Sequence, residues 1–274
     1  MPPAAARTVS RIETAQPPQR SAPTHANRMV IPPAEFAVHS PFLMMAEDWF
    51  APPAGFPDHP HRGMETVTLV LEGSIEHRDH TGAHGVIGPG EIQWMTAGKG
   101  VVHSEMPGPQ GVHSLQLWLN LPAAQKMSTA RYADQRLDAV DTLRGEGWEV
   151  RLYAGHEGDA DRAHGSSYPM SLKTAALDPG ARCDLTVPAD ERAFLYVVQG
   201  RLTAGGTSLS AGQIGWIDPA QGESLVLEAQ ERSFAVLCSG RPIDEPVAAY
   251  GPFVMNSMDE IRQAFDDYRG GAFV

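Results

Sequence analysis

This sequence predicts an all-β protein built from two copies of one antiparallel barrel or sandwich, on three observations. From Glu65 to Met95 it reads as short β runs broken by glycine: Thr66-Val-Thr-Leu-Val-Leu, Gly73, Ser74-Ile-Glu-His, a turn near Gly82, then Gly88-Pro-Gly-Glu before Ile92-Gln-Trp-Met. The second half repeats the pattern. Leu69-Val-Leu-Glu-Gly73-Ser-Ile aligns with Tyr196-Val-Val-Gln-Gly200-Arg-Leu, and Gly88-Pro-Gly-Glu-Ile-Gln-Trp94-Met with Ser210-Ala-Gly-Gln-Ile-Gly-Trp216-Ile, as an internal duplication requires. Finally, 27 glycines and 23 prolines among 274 residues punctuate the whole chain, which suits short strands and many turns.

The elements follow in order. Residues 1–28 carry Arg7, Arg11, Arg20 and Arg28 against the single acid Glu13, with no apolar run for a secretory signal and no amphipathic period, so a disordered leader is expected. Residues 29–130 form the first expected barrel. A linker is expected at 131–147, within a polar stretch that begins near Pro122, where Ala123-Ala-Gln-Lys-Met and Asp138-Ala-Val-Asp read as short helices or turns. Residues 148–274 form the second barrel. Near its end, Ser257-Met-Asp-Glu260 has the spacing of a capping box. Ile261, Ala264, Phe265 and Tyr268 follow at i, i+3, i+4 and i+7, the stripe of a short C-terminal helix docked on the core.

Charge and motifs narrow the function. A net charge of −12 repels phosphate backbones and argues against direct nucleic-acid binding. No run of about 18 apolar residues exists to span a membrane. Cys183 and Cys238, far apart and without a CxxC partner, fit buried small hydrophobes in a reducing cytoplasm. The chain contains no GxSxG nucleophile elbow, and Thr96-Ala-Gly-Lys99-Gly lacks the Ser or Thr of a phosphate loop.

Two pairs point to a metal. His59-Pro-His61 and His103-Ser-Glu105 place residues i and i+2 on one face of an extended segment, so each pair projects together. Facing one interior, they offer three imidazoles and a carboxylate. Such a set suits Fe(II), Mn(II), Co(II), Ni(II) or Zn(II) and leaves open positions for substrate or dioxygen. Glu65, four residues after His61, competes with Glu105 by strand parity, and spacing alone leaves both open. A second cluster, Glu76-His77-Arg78-Asp79-His80 with His84, is expected on a solvated hairpin flank, because Arg78 would oppose a cation. Carried across the Gly73/Gly200 register, His59 and His61 fall on Thr186 and Pro188. Across Trp94/Trp216, His103 and Glu105 fall on Leu225 and Leu227, so the second copy is expected to hold no metal.

Gly55-Phe-Pro-Asp-His59-Pro-His61-Arg-Gly-Met-Glu65-Thr, Gln93-Trp-Met-Thr-Ala-Gly-Lys-Gly-Val-Val-His103-Ser-Glu105-Met-Pro and Leu115-Gln-Leu-Trp-Leu-Asn-Leu-Pro together resemble the pirin family, as does Gly251-Pro-Phe-Val-Met-Asn-Ser-Met-Asp-Glu-Ile. The likeness runs from about residue 40 to 270. It implies a bicupin, two jelly-roll barrels with one metal in the first, usually iron, held by His59, His61, His103 and Glu105, and so prefers Glu105 to Glu65. Cu(II) is a further candidate ion. The sequence departs from the family at Phe42-Leu-Met-Met-Ala-Glu-Asp-Trp-Phe-Ala-Pro-Pro, and Met29-Val-Ile-Pro-Pro stands where an Arg-rich strand would open the first barrel. The resemblance implies either of two roles. One is a quercetin 2,3-dioxygenase, with Glu105 accepting the flavonol proton while dioxygen opens the ring and carbon monoxide leaves. The other is a redox-sensing regulator that binds a transcription factor or metabolic enzyme. Phe56, Met64, Trp94, Met95 and Trp118 are candidates to line a polyphenol pocket, with barrel core as the expected role of each one taken singly.

Overall fold

A computed structural model of the chain describes residues 6–158, 160–162, 166–220 and 222–273, and divides into two compact units. Residues 17–138, 165–168 and 243–274 form the unit of the first copy; residues 1–16, 139–164 and 169–242 form that of the second.

The first unit is organised by alternation in the strand Val101–Asn120, where Leu115, Leu117 and Leu119 face one way and Ser114, Gln116, Trp118 and Asn120 the other. This strand pairs antiparallel with Met64–Asp79 and Phe42–Phe50. Directly paired residues share a face, so Thr66, Thr68, Met44, Ala46 and Asp48 join Gln116 and Trp118, while Glu65, Val67, Met45 and Glu47 lie opposite. The nine-stranded sheet runs Arg131–Gln135, Ile92–Thr96, Met64–Asp79, Val101–Asn120, Phe42–Phe50, His25–Ile31, Gln19–Ala22, with Phe56–His61 added on Val101–Asn120 and His84–Ile87 on Met64–Asp79. Its ends do not pair with each other, so the expected barrel is not closed by hydrogen bonds. Met29-Val-Ile, weak by composition, belongs to the seven-residue strand His25–Ile31, whose Arg28 pairs with Glu47.

The second unit has an eight-stranded sheet containing Arg192–Gln199 and Gln213–Ile217, and a four-stranded sheet of Arg182–Thr186, Ser224–Ala229, Arg201–Ala204 and Thr207–Ser210. Residues from both sheets, among them Leu185, Leu195, Leu202, Leu225, Leu227 and Leu237, make one core cluster. Burying each leucine contributes roughly 1.5–3 kcal/mol. The duplication is visible in register: Val67 pairs with Trp94 as Phe194 pairs with Trp216. Gly73 and Gly200 repeat one another, at φ 74° and 83°, each so near the neighbouring strand that a Cβ would stand 2.0 Å from Gly111 O or 2.2 Å from Arg232 O. Leu225 and Leu227 are fully buried, and Thr186 spends its amide and hydroxyl on Glu157. Both thiols are buried, and burial pushes Cys183 up to about 12 and Cys238 higher still, so neither is a ready nucleophile.

Three expectations change. The leader is structured from residue 6, residues 1–5 lying outside the described chain. Arg11–Thr14 pairs with Gln213–Ile217, and Gln19–Ala22 pairs with His25–Ile31. Arg7, read as part of a basic tail, is 1% exposed and donates to the carbonyls of Val187, Pro188, Glu191 and Asp218. Four-residue strands that gain their stability from a sheet edge leave little periodicity to read. The expected linker is also structured: Ala123–Lys126 is helical as read, but Arg131–Gln135 and Asp141–Gly145 are strands of the first and second units. The C-terminal helix Met258–Arg269 forms with Ser257 Oγ accepting from Glu260 N, but it belongs to the first copy's unit, where Ile261 and Ala264 pack with Phe253, Met255 and Phe273. Among the described residues no helix is long and apolar enough to cross a membrane.

Candidate metal centre

His59 and His61 lie on Phe56–His61, and His59 stands directly opposite His103 in the antiparallel pair. One ligand nitrogen from each of His59, His61 and His103 lies within 4.8 Å of the others, a group that could hold a metal ion. The ring centroids are 4.9 Å (His59–His61), 4.3 Å (His59–His103) and 5.0 Å (His61–His103) apart. His61 and His103 are buried and His59 is half-buried, which leaves one edge of the group toward solvent.

The outer contacts prepare these rings. His59 Nδ1 meets Pro57 O at 2.8 Å, and His61 Nδ1 meets Pro252 O at 3.3 Å. A carbonyl only accepts, so each Nδ1 carries a proton, and in the neutral ring the Nε2 lone pair is the one free to ligate. His103 Nδ1 lies 3.3 Å from His77 Nδ1, and its Nε2 is buried without a hydrogen-bond partner. A buried nitrogen left without a partner costs about 1–3 kcal/mol, and a cation at the centre of the group removes that cost. Burial, and then the neighbouring His59, pushes His61 down to about 3; burial and the surrounding imidazoles push His103 well below the ordinary range. Neutral imidazoles are the form that ligates, so the residues fit a divalent ion of the nitrogen- and oxygen-preferring kind.

Glu105, two residues after His103, is buried on the same face, though its carboxylate is not part of the three-histidine group. Gln116 Nε2 donates to both its oxygens at 3.0 and 2.8 Å, and Thr68 Oγ1 donates at 3.2 Å. Trp118 Nε1 donates to Gln116 Oε1 at 3.2 Å, which turns the amide nitrogen toward Glu105, and the Trp118 ring meets His61 edge-on at 5.1 Å. Glu65 is on the other face. Gly63, at φ 78°, ends one strand before Met64 begins the next, so parity does not carry from His61 to Glu65. Its carboxylate is held by Thr96 Oγ1, Ser166 Oγ and the Ser167 amide.

The Glu76–His84 cluster divides by strand alternation. Glu76, Arg78 and His84 do form an outward ion-pair group, as expected. His77 and Asp79 point inward, their side chains 2% and 3% exposed, with His77 Nε2 3.3 Å from Asp79 Oδ2. The i, i+2 rule that found His59 and His61 applies equally here and would have found this pair. Tyr132, in the expected linker, stacks on His77 at 4.2 Å. Of the candidate pocket residues, Trp118 reaches His61 and Phe56 lies 6.3 Å from His59, whereas Met64, Trp94 and Met95 are buried core.

Gly63 also ties the histidine strand to the C-terminal segment, since a Cβ there would lie 2.0 Å from Val254 O. Lys126 Nζ donates to both Gly63 O and Val254 O. Gly63→Ala is expected to cost about 2 kcal/mol or more and to weaken metal binding through the displaced Pro252 carbonyl, as read by thermal unfolding and chelator competition.

The family model "Pirin" matches residues 23–119, and "Pirin C-terminal cupin domain" matches residues 173–274. A pirin-like protein of Caulobacter vibrioides is 39% identical over 279 residues, covering 97% of this chain and 99% of its own. One from Solanum lycopersicum is 41% identical over 235 residues, covering 84% and 81%. The crystal structure of a quercetin 2,3-dioxygenase from Acinetobacter baumannii matches with a TM-score of 0.88 at 29% identity, over 98% of this chain and 99% of that one.

Proposed function

The chain belongs to the pirin family, and from that premise we propose a metal-dependent dioxygenase of the quercetinase type, acting on a flavonol or related polyphenol with dioxygen, with Fe(II) as the ion. The observation that carries this reading is the convergence of three imidazoles beside a buried carboxylate held by an amide and a hydroxyl. Similarity to the Acinetobacter baumannii protein named for that reaction supports the substrate class. His59, His61 and His103 would hold the ion, with Glu105 as fourth ligand. When bound, the ion would supply Lewis acidity and a template that orients the substrate.

The chain's own residues do the rest. Gln116 and Thr68 leave Glu105 one open lone pair, so in this reading it serves either as fourth ligand or as the base that accepts the proton of the flavonol 3-hydroxyl, and not as both at once. Their hydrogen bonds keep the carboxylate from rotating as it changes charge. Trp118 fixes the Gln116 amide and presents an apolar ring beside His61. The electron-rich flavonolate then takes up both oxygen atoms, the central ring opens and its 3-carbon leaves as carbon monoxide. In this reading the protein works in the reducing cytoplasm, where Cys183 and Cys238 stay thiols.

With Fe(II)-reconstituted protein and quercetin, oxygen uptake matched by carbon monoxide release is expected. Glu105→Gln is expected to lower kcat by about 10²–10⁴-fold, the usual contribution of a positioned base. Stoichiometric metal without turnover would overturn the dioxygenase and favour the redox-sensing regulator, acting through a transcription factor or metabolic enzyme.

A further inference from the structure

We propose that His77 is a positioning residue, which with Asp79 behind it selects the His103 tautomer whose bare Nε2 faces the metal group; this rests on the reading of His103 as a ligand.

His59 and His61 have their Nδ1 protons fixed by backbone carbonyls, which only accept. His103 is different, because its Nδ1 meets another imidazole nitrogen, His77 Nδ1 at 3.3 Å, and an imidazole can donate or accept. Something must break that ambiguity, and Asp79 does. Its Oδ1 is occupied by the Thr81 amide and hydroxyl and the Ala83 amide at 2.8, 2.6 and 3.2 Å, which pins the carboxylate in the turn. Oδ2 is thereby aimed at His77 Nε2, 3.3 Å away. A carboxylate accepts, so neutral His77 carries its proton on Nε2 and its lone pair on Nδ1. His103 must then donate from Nδ1, which leaves its Nε2 without a proton. That Nε2 is the buried atom with no hydrogen-bond partner, in a ring whose centroid lies 4.3 and 5.0 Å from those of His59 and His61.

The His77 ring is held for this task. It is 1% exposed and lies flat on Tyr132, with ring centroids 4.2 Å apart and planes at 20°. Tyr132 is fixed in turn, its hydroxyl donating to Asp134 Oδ1 at 2.5 Å and accepting from Gln93 Nε2 at 2.8 Å. Outer-shell partners of ligating histidines commonly contribute about 10–100-fold to metal affinity.

The test uses the full chain stripped of metal, as wild type, His77→Phe and Asp79→Asn. Phenylalanine keeps the ring on Tyr132 but cannot accept from His103. Long-range proton–nitrogen correlation spectra of the histidine rings report each tautomer, and Zn(II) affinity is read by chelator competition. The expected result is His103 protonated on Nδ1 in wild type and a mixture of tautomers in His77→Phe, with Zn(II) bound about 10–100-fold more weakly. Asp79→Asn should shift both readouts in the same direction by less. An unchanged His103 tautomer with Zn(II) affinity within about twofold overturns the proposal. If His77→Phe does not fold, an unchanged spectrum in Asp79→Asn does the same. A wild type that takes up no Zn(II) overturns the metal reading together with this one, whereas Zn(II) uptake indifferent to His77 and Asp79 overturns this one alone.

Discussion

His103→Ala is expected to abolish both metal retention and turnover. Wild-type protein should carry one ion per chain after reconstitution and gel filtration, and the variant less than about a tenth of that. In the proposed metal group, His103 Nε2 is buried without a hydrogen-bond partner, and its strand places His103 opposite His59. Removing it leaves two imidazoles on one strand edge, and the loss of a direct ligand should exceed the 10–100-fold typical of an outer-shell partner. Oxygen uptake with quercetin should fall to background. Glu65→Gln makes the informative control: it disturbs the Thr96 and Ser167 contacts, so it should lower the melting temperature while leaving metal content unchanged. Metal loss in Glu65→Gln equal to that in Glu105→Gln would contradict the assignment of the two carboxylates to opposite faces.

The second large effect concerns acid. His61 is pushed down to about 3 by burial and by His59, whereas an unfolded histidine titrates near 6.5. Between those values the unfolded chain binds a proton that the native, metal-free protein does not. Stability is therefore complete above pH 6.5 and falls as pH drops, by about 1.4 kcal/mol per unit for this group and by roughly 4–5 kcal/mol at pH 3. His103, also lowered, adds to the same slope, though coupled groups do not sum simply. The urea midpoint of the metal-free protein should thus fall steeply from pH 6.5 to 5, and His61→Leu should flatten the fall. A midpoint level across that range would show that the imidazoles are not buried as described. Bound metal needs the same neutral rings, so acid should also release it.

Much of this was legible in the sequence because strand alternation has a period of two. The His59/His61 and His103/Glu105 pairs each fall on one face whatever the rest of the chain does, and the glycine-anchored repeat predicts two β units with one metal group. The same rule applied at Glu76–Asp79 would have separated inward His77 and Asp79 from outward Glu76, Arg78 and His84. Composition drew the whole run to the surface instead, since Arg78 dominates its character. Gln116 was within reach as well, lying in the same alternation as Ser114, Trp118 and Asn120.

The sequence by itself determined the all-β class, the duplication and which histidines share a face, because each is a local property of spacing and side-chain type. Tertiary structure alone decided the remainder. The turn at Gly63 reversed the parity that had made Glu65 a rival of Glu105. The strand Arg131–Gln135 brought Tyr132 onto His77, and the C-terminal segment brought Pro252 to His61. The basic leader became ordered strands with Arg7 buried among carbonyls. Each of these is a contact between residues far apart in the chain, made by register and by the reach of a single polar group. No local pattern encodes such a contact, since its free energy appears only once both segments are in place.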